Sequence, residues 1–180
     1  MPIAASDIVF RLSTTAGAAG DTTAQADPNA SLGKYVSTTA WAAGTNTLFD
    51  NITGDENAAS TVDYRCFFVL NNHGSLTLEA AVVYVSAEVA GGADIAIAVD
   101  NIGPVAKGQA AAQAAQIASQ TAAPASVGAF GTPTTKAAGL ALGNIGPGQV
   151  RAVWVRRTAK NSAPINADGF TVSVAGDTAA

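Results

Sequence analysis

The fold of this chain is decided by residues 61–85, which read TVDYRCFFVLNNHGSLTLEAAVVYV. Successive side chains over 62–70 fall alternately on two faces of an extended chain, and the same two-residue period returns over 76–84. Between these runs, residues 71–74 (Asn-Asn-His-Gly) form a cluster of turn-forming side chains. The spacing therefore predicts two long strands joined as a β-hairpin.

Shorter segments with the same period lie on both sides of this pair. They cover residues 7–13, 93–99, 140–142, 150–155 and 170–174, with turn-forming residues between them. No regular alternation of strands with helices is visible, so a parallel sheet is not expected. The sequence predicts an all-β fold, an antiparallel β-sandwich that is immunoglobulin-like or jelly-roll-like.

The N-terminal third differs in composition from the rest of the chain. Residues 14–31 are small, polar and turn-forming, and only short extended pieces follow them. We therefore expect an extended N-terminal arm with strands over residues 1–60, ordered by what it lies on, and a β-sandwich body over residues 61–180. Residues 105–123 are compatible with a short helix, a strand or an ordered loop, and a strand near 114–119 within a loop is favoured.

Composition narrows the classes of function. Only 12% of the 180 residues are charged, against about 25% in a typical soluble domain. The formal net charge is -4 with nine Lys and Arg residues, which argues against a nucleic-acid partner because phosphate binding needs clustered cations. The chain has neither a secretory signal at its start nor an apolar stretch of membrane-spanning length, so no membrane partner is expected.

Residues suited to catalysis are few. The single cysteine, Cys66, excludes an intrachain disulfide and a cysteine-based zinc site, and is typical of synthesis in a reducing cytoplasm. Its position within a strand among aromatic residues indicates a buried side chain, and the single histidine, His73, lies in a turn. Residues 143–148 are glycine-rich but lack the Lys-Ser/Thr of a phosphate-binding loop. We expect no enzyme, no catalytic residue and no cofactor.

An acidic stretch offers oxygen ligands for a cation. Asp50, Asp55 and Glu56 lie close together in the sequence, but without the spacing of an EF-hand loop. Turns stabilised by their own side chains explain the same residues. No metal site is predicted, and cation binding by these three residues is left open.

Four residues are candidates for an interface with other chains. Trp41 is flanked by small residues outside any periodic segment, so we expect its indole to be buried, either within this chain or against another subunit. Arg151, Arg156 and Arg157 form a concentration of positive charge. We expect them to pair with carboxylates at a strand edge or at a subunit contact.

Taken together, several short motifs resemble those of small virion structural proteins of tailed bacteriophages and prophages, over nearly the whole chain. The motifs are Ser31–Tyr35, Leu48–Asp50 with Gly54–Glu56, Tyr64–Phe68 with Asn71, Pro147–Gly148 and Trp154–Thr158. The resemblance implies a component of the virus particle that performs no catalysis. Its implied partners are the major capsid protein or other virion proteins.

Three functions follow as expectations. The first is a capsid decoration (cement) protein, a homo-oligomer made in the host cytoplasm and located in the virion, where it stabilises the head through contacts between subunits. The second is a structural module of the tail, baseplate or fibre. The third, from a different class, is a β-sandwich that binds carbohydrate or a receptor, which requires exposed aromatic residues near a loop end.

Overall fold

The computed structural model describes residues 2–17 and 20–178, and shows two antiparallel sheets. In chain order the strands are β1 (Ile8–Thr14), β2 (Tyr35–Ala40), β3 (Val62–Asn71), β4 (Leu78–Glu88), β5 (Asp94–Val99), β6 (Val105–Ala106), β7 (Leu140–Ile145), β8 (Gln149–Thr158) and β9 (Phe170–Thr178). One α-helix, α1 (Gly54–Ala59), is found in the described residues, with 3-10 turns at Ala5–Asp7, Pro28–Ala30 and Lys136–Ala138. The six-stranded sheet has the order β2-β1-β3-β8-β5, with β6 also paired to β8, and the three-stranded sheet has the order β7-β4-β9. The predicted all-β sandwich is confirmed.

The predicted hairpin at residues 71–74 is wrong, because β3 and β4 lie in different sheets. The chain instead crosses from one sheet to the other, and the buried side chain of Asn71 holds this crossing. Its Nδ2 donates to the carbonyl oxygens of Leu76 and Ile145, each at 2.8 Å, and its Oδ1 accepts from the amide of His73 at 3.0 Å. Turn-forming residues are common to both kinds of connection, so they do not distinguish a hairpin from a crossing.

Two hydrophobic cores lie on opposite faces of the six-stranded sheet. The core between the sheets contains Phe67 and Val69 of β3 and Val153 and Val155 of β8. The second core, on the outer face, contains the alternate residues of the same strands: Cys66, Phe68, Leu70, Val150, Ala152 and Trp154. Because both faces of β3 and β8 are covered, these strands are apolar along nearly their whole length.

Residues 105–131, called the cover loop here, close the second core. Ala114 and Ile117 are buried against it. The strand favoured near 114–119 is replaced by irregular backbone, in which Gln116 makes a single β-bridge with Gly33. The segment forms no regular ladder; backbone hydrogen bonds to Leu32 and Lys34 hold it, together with two buried polar side chains.

Asp100 and Gln113 are these two side chains. Asp100 Oδ2 accepts from the indole Nε1 of Trp154 at 3.0 Å and from the amide of Ala115 at 2.8 Å. Gln113 accepts from the amide of Val36 at 2.7 Å and donates to the carbonyl of Lys107 at 2.6 Å. Each joins a sheet strand to the cover loop, so each buried polar group is satisfied where regular pairing is lacking.

Within the segment predicted as an N-terminal arm with strands over residues 1–60, β1 and β2 belong to the six-stranded sheet. β1 lies between β2 and β3 in the six-stranded sheet, where Leu12 pairs in register with Phe67 and is buried in the core. Ser31 is fully buried, and its Oγ donates to the carbonyl of Cys66 at 2.6 Å. Leu12 is thereby removed from water by the chain's own strands, and Ile8, Val9 and Phe10 are partly buried.

The described residues include no helix that is long and apolar enough to cross a membrane.

We predict that Asn71→Ala lowers the free energy of unfolding by about 3 kcal/mol, because it leaves buried backbone groups of the crossing without partners. Chemical denaturation followed by circular dichroism measures this. Asn72→Ala is the matched control, since Asn72 is exposed, and its effect is expected within about 0.5 kcal/mol. Equal losses for the two variants would contradict the assigned role of Asn71.

Candidate functional site

A cleft of about 920 Å³ opens at one end of the sandwich. Residues 41–54 form one side of it and residues 162–172 the other, with Arg157 and Lys160 also contributing to its wall. We call it the loop-end cleft. Hydroxyl, amide and small side chains from these two loops alternate with apolar ones, so the cleft presents a mixed apolar and polar, largely uncharged surface.

Trp41 lies on the apolar side of the loop-end cleft and is partly buried. Its ring centroid is 4.9 Å from that of Phe67, 6.0 Å from that of Phe10 and 6.1 Å from that of Phe170. The indole Nε1 donates to Thr47 Oγ1 at 3.1 Å. The chain's own core therefore covers one part of the indole, and the remainder faces the cleft.

Arg157 ties a cleft loop to the six-stranded sheet. Only 7% of this residue is exposed, and its guanidinium pairs with Asp63 at 2.8 Å and with Asp50 at 3.3 Å. It also donates to the carbonyl of Asp50. The expected pairing with carboxylates is found here, but in the interior of the sheet, because β8 lies between β3 and β5.

Phe49 packs beside two guanidinium groups under the cleft. The guanidinium carbons of Arg157 and Arg65 lie 4.6 and 5.3 Å from the centroid of its ring. The negative face of an aromatic ring attracts cations, and this attraction strengthens when water is excluded. Phe49 and Arg157 together thus fix the base of the loop over residues 41–54.

Arg65 is a buried cation that the sequence reasoning missed. It is fully buried and donates to Asn29 Oδ1 at 2.9 Å, to Gln120 Oε1 at 2.6 Å and to the carbonyl of Tyr64 at 3.0 Å. Burial lowers the pKa of its guanidinium, although Asp63 opposes the shift. The signal available in the sequence was a charged residue within an otherwise apolar strand, which needs a dedicated set of partners.

The other two arginine candidates lie away from the loop-end cleft. Arg151 donates to the carbonyl of Ile102, and burial lowers the pKa of its guanidinium. Arg156 lies on the face of β8 opposite to that of Arg157, and its guanidinium carbon is 5.2 Å from the centroid of the Phe130 ring. The structure therefore brings Trp41 and Arg157 together at one site, and separates Arg151 and Arg156 from them.

Cys66 and His73, the residues considered for nucleophilic chemistry, both take part in holding the fold together. Cys66 is fully buried, and burial raises the pKa of its thiol. His73 Nδ1 accepts from the amides of Ser75 at 3.1 Å and Leu76 at 2.9 Å, which shapes the crossing between the sheets. Burial withholds the Cys66 thiol from solvent, and the lone pair of His73 Nδ1 is taken up by two backbone amides.

The acidic residues do not converge. Asp50 pairs with Arg157, whereas Asp55 and Glu56 begin α1, where the amide and hydroxyl of Thr53 donate to Glu56 Oε2 at 2.7 and 2.8 Å. These hydrogen bonds lower the pKa of the Glu56 carboxyl. Within residues 2–17 and 20–178, no group of three or more His, Cys, Asp or Glu side chains is arranged to hold a metal ion.

A second surface feature lies on the three-stranded sheet, on the side facing away from the core. Its middle carries uncharged side chains that alternate with buried Val83, Val85, Leu142 and Val172. They are Val82, Tyr84, Ser86, Ala141, Thr171, Ser173 and Ala175, which we call the outer sheet face. Among the described residues, charged side chains lie at one end of this face, where Glu79 pairs in register with Asp177 and Lys136 lies 3.7 Å from Asp177. At the other end of β4, Glu88 accepts from the amide of Ile95 in β5 at 2.9 Å.

Comparison with protein-family models, with curated proteins and with solved structures found no match to this chain.

We predict that Arg157→Met lowers the free energy of unfolding by about 3–5 kcal/mol, because it leaves the buried Asp63 carboxylate without its cation. Arg156→Met is the matched control, since Arg156 is only partly buried and has no ion-pair partner in the described residues. Denaturant titration of both variants measures the difference. An Arg157→Met protein as stable as the control would show that the ion pair is dispensable.

Proposed function

We propose that the protein is a non-enzymatic structural component of a phage virion, a decoration (cement) protein that stabilises the head through contacts between subunits. Its partners are the major capsid protein or other virion proteins, together with further copies of itself. It is made in the host cytoplasm and taken up into the particle. Neither nucleic acid nor a membrane is a partner in this proposal.

The observation that carries the proposal is the outer sheet face. Seven neighbouring positions on three strands bear no charge, although an isolated soluble domain is protected against association by charges spread over its surface. Covered by a neighbouring protein, the same side chains give close packing without the free-energy penalty of burying unpaired charges. This is the surface expected of a subunit that works within an assembly.

The distribution of charge inside the molecule supports the same proposal. Arg65, Asp63, Asp100 and Arg157 are buried, so the surface carries still less charge than the overall composition indicates. The side chains that nucleophilic catalysis would use, Cys66 and His73, are engaged in the fold. These features favour contact surfaces over a reaction site.

We predict that particles lacking this protein open at a lower temperature or ionic strength than complete particles, while adsorption to the host is unchanged. Release of packaged nucleic acid during a temperature ramp measures the difference, and adding back the purified protein is expected to restore stability. Unchanged head stability with lost attachment would assign the protein to the tail, baseplate or fibre.

A matched pair of variants connects this function to the outer sheet face. Ala141→Glu places a charge on that face, whereas Ala123→Glu places the same charge on the cover loop, and both alanines are exposed. Only Ala141→Glu is expected to fail in restoring the particle. If Ala141→Glu restores stability as well as the wild type, the outer sheet face is not the contact surface.

The position of Trp41 favours a second candidate function, the binding of carbohydrate or a glycosylated receptor. Trp41 is the partly exposed aromatic residue near a loop end that this class requires, and the surrounding hydroxyl and amide groups of the loop-end cleft suit sugar hydroxyls.

We predict that, if this second function holds, a bound oligosaccharide changes the tryptophan fluorescence of the protein through Trp41. The only other tryptophan, Trp154, is fully buried and provides a constant background. Trp41→Phe preserves packing against Phe67 and is expected to abolish the spectral change. A panel of oligosaccharides that leaves the wild-type spectrum unchanged at every concentration would exclude this function.

A further inference from the structure

The two edges of the six-stranded sheet are covered by loops of the chain. The β2 edge of the six-stranded sheet is covered by the segment 21–23, through the bonds from the Asp21 amide to the Val36 carbonyl at 2.8 Å and from the Thr38 amide to the Thr23 carbonyl at 3.0 Å. The β5 edge is covered at Ile97, which exchanges backbone hydrogen bonds of 2.8 and 2.9 Å with Gly131. The chain's own loops thus protect both of these edges.

Among the described residues, the β9 edge of the three-stranded sheet has no such cover. The backbone of β9 bonds to β4 and to the Ser86 hydroxyl on that strand. β9 nonetheless has the geometry of a good pairing strand: it spans nine residues, and none of them has a positive φ. The irregularities in its pairing with β4 fall on the β4 side, where Ala80 has a φ of 45°.

The opposite edge, β7, is less suited to pairing. It has six residues, contains Gly143 with a φ of 81°, and shifts register against β4. The carbonyl of its last residue, Ile145, already accepts from Asn71. A bulged, short edge discourages the addition of another strand, whereas a long and regular one promotes it.

We propose that β9 pairs antiparallel with β9 of a second copy of this chain, across a two-fold axis at Val174, and so joins the two three-stranded sheets into one continuous sheet. The inference rests on the proposed function, which expects contacts between copies of this chain, and it specifies the strand through which two copies bind each other. A two-fold axis makes the same strand serve both partners, which closes the assembly at two copies.

The residue pattern of β9 fits pairing with itself. In this register, Val172 lies opposite Gly176 of the second copy, so that core-facing positions meet core-facing positions. On the other face, Ser173 lies opposite Ala175 and Thr171 opposite Asp177. The single charge of the strand therefore meets a hydroxyl and not a like charge, which would destabilise the pair. The outer sheet face continues across the joint without interruption.

The test compares variants of the full chain by sedimentation velocity over a series of concentrations. The wild type is expected to form dimers. In the double variant Ser173→Lys with Ala175→Lys, each introduced lysine lies opposite a lysine of the second copy. This variant is expected to be monomeric, because the like charges repel. Ser173→Glu with Ala175→Lys sets glutamate opposite lysine at the same positions and is expected to restore the dimer, because it reverses the sign of each cross-strand interaction.

Thr121→Lys with Ala123→Lys is the control for added charge. Both residues are exposed on the cover loop, so this variant carries the same net charge as the monomeric one and is expected to remain dimeric. A wild type that is monomeric at all concentrations would overturn the inference, as would a Ser173→Lys, Ala175→Lys variant that stays dimeric. If β9 pairs only with an extended segment of another virion protein, the purified wild type will be monomeric at all concentrations, which overturns the inference.

A second measurement applies if a β9 variant fails to fold. Amide hydrogen exchange of the wild type is expected to slow in β9 as protein concentration rises, while exchange in β7 stays constant. Equal exchange in β9 at low and high concentration would overturn the inference. Particle binding tests the proposed function separately. A protein that forms dimers but does not bind particles would contradict the proposed function and leave the dimer inference standing. A protein that stays monomeric but binds particles would contradict the dimer inference alone.

Discussion

β3 and β8 carry large apolar side chains on both faces, so the molecule has to cover the six-stranded sheet twice. The three-stranded sheet covers one face, over Phe67 and Val153. The cover loop, which is mostly irregular, covers the other, over Phe68 and Trp154. An irregular loop cannot satisfy all of its backbone groups by a ladder, so buried side chains supplement its isolated backbone hydrogen bonds, and Asp100 makes the link to the Trp154 indole. The rest of the architecture follows from this double cover, including the crossing at Asn71 that takes the chain from one sheet to the other.

The same constraint determines where the few charges lie. Arg65 is held by the side-chain amide oxygens of Asn29 and Gln120, and Arg157 is held by the carboxylates of Asp63 and Asp50. These buried groups join segments that are far apart in the sequence, and a buried charge is tolerated only when such partners are present. Their burial withdraws charge from an already weakly charged surface. Protein contacts over the outer sheet face then require little desolvation of charge, which is the physical basis of the proposed place in a virus particle.

The candidate surfaces are connected through β9. Its first residue, Phe170, lies in the wall of the loop-end cleft, its outward side chains belong to the outer sheet face, and its edge, uncovered within residues 2–17 and 20–178, is the proposed contact with a second copy. Antiparallel pairing of β9 with itself would place the two clefts at opposite ends of the joint strands, both open to solvent.

The sequence by itself determined the all-β class, the positions of the strands around β3, β4, β5, β8 and β9, and the burial of Cys66, because these depend on a local period of two residues and on apolar character. It did not determine which strands pair. The turn residues 71–74 suit a hairpin and a crossing equally well, and the segment 8–14 has the same pattern whether it lies in an arm or between two strands. Only the tertiary structure decided which strands pair, how the cover loop closes the second core, and that Trp41 and Arg157 line the same cleft. Each of these depends on contacts between residues that are far apart in the chain, and a local sequence pattern does not indicate the free energy of such contacts.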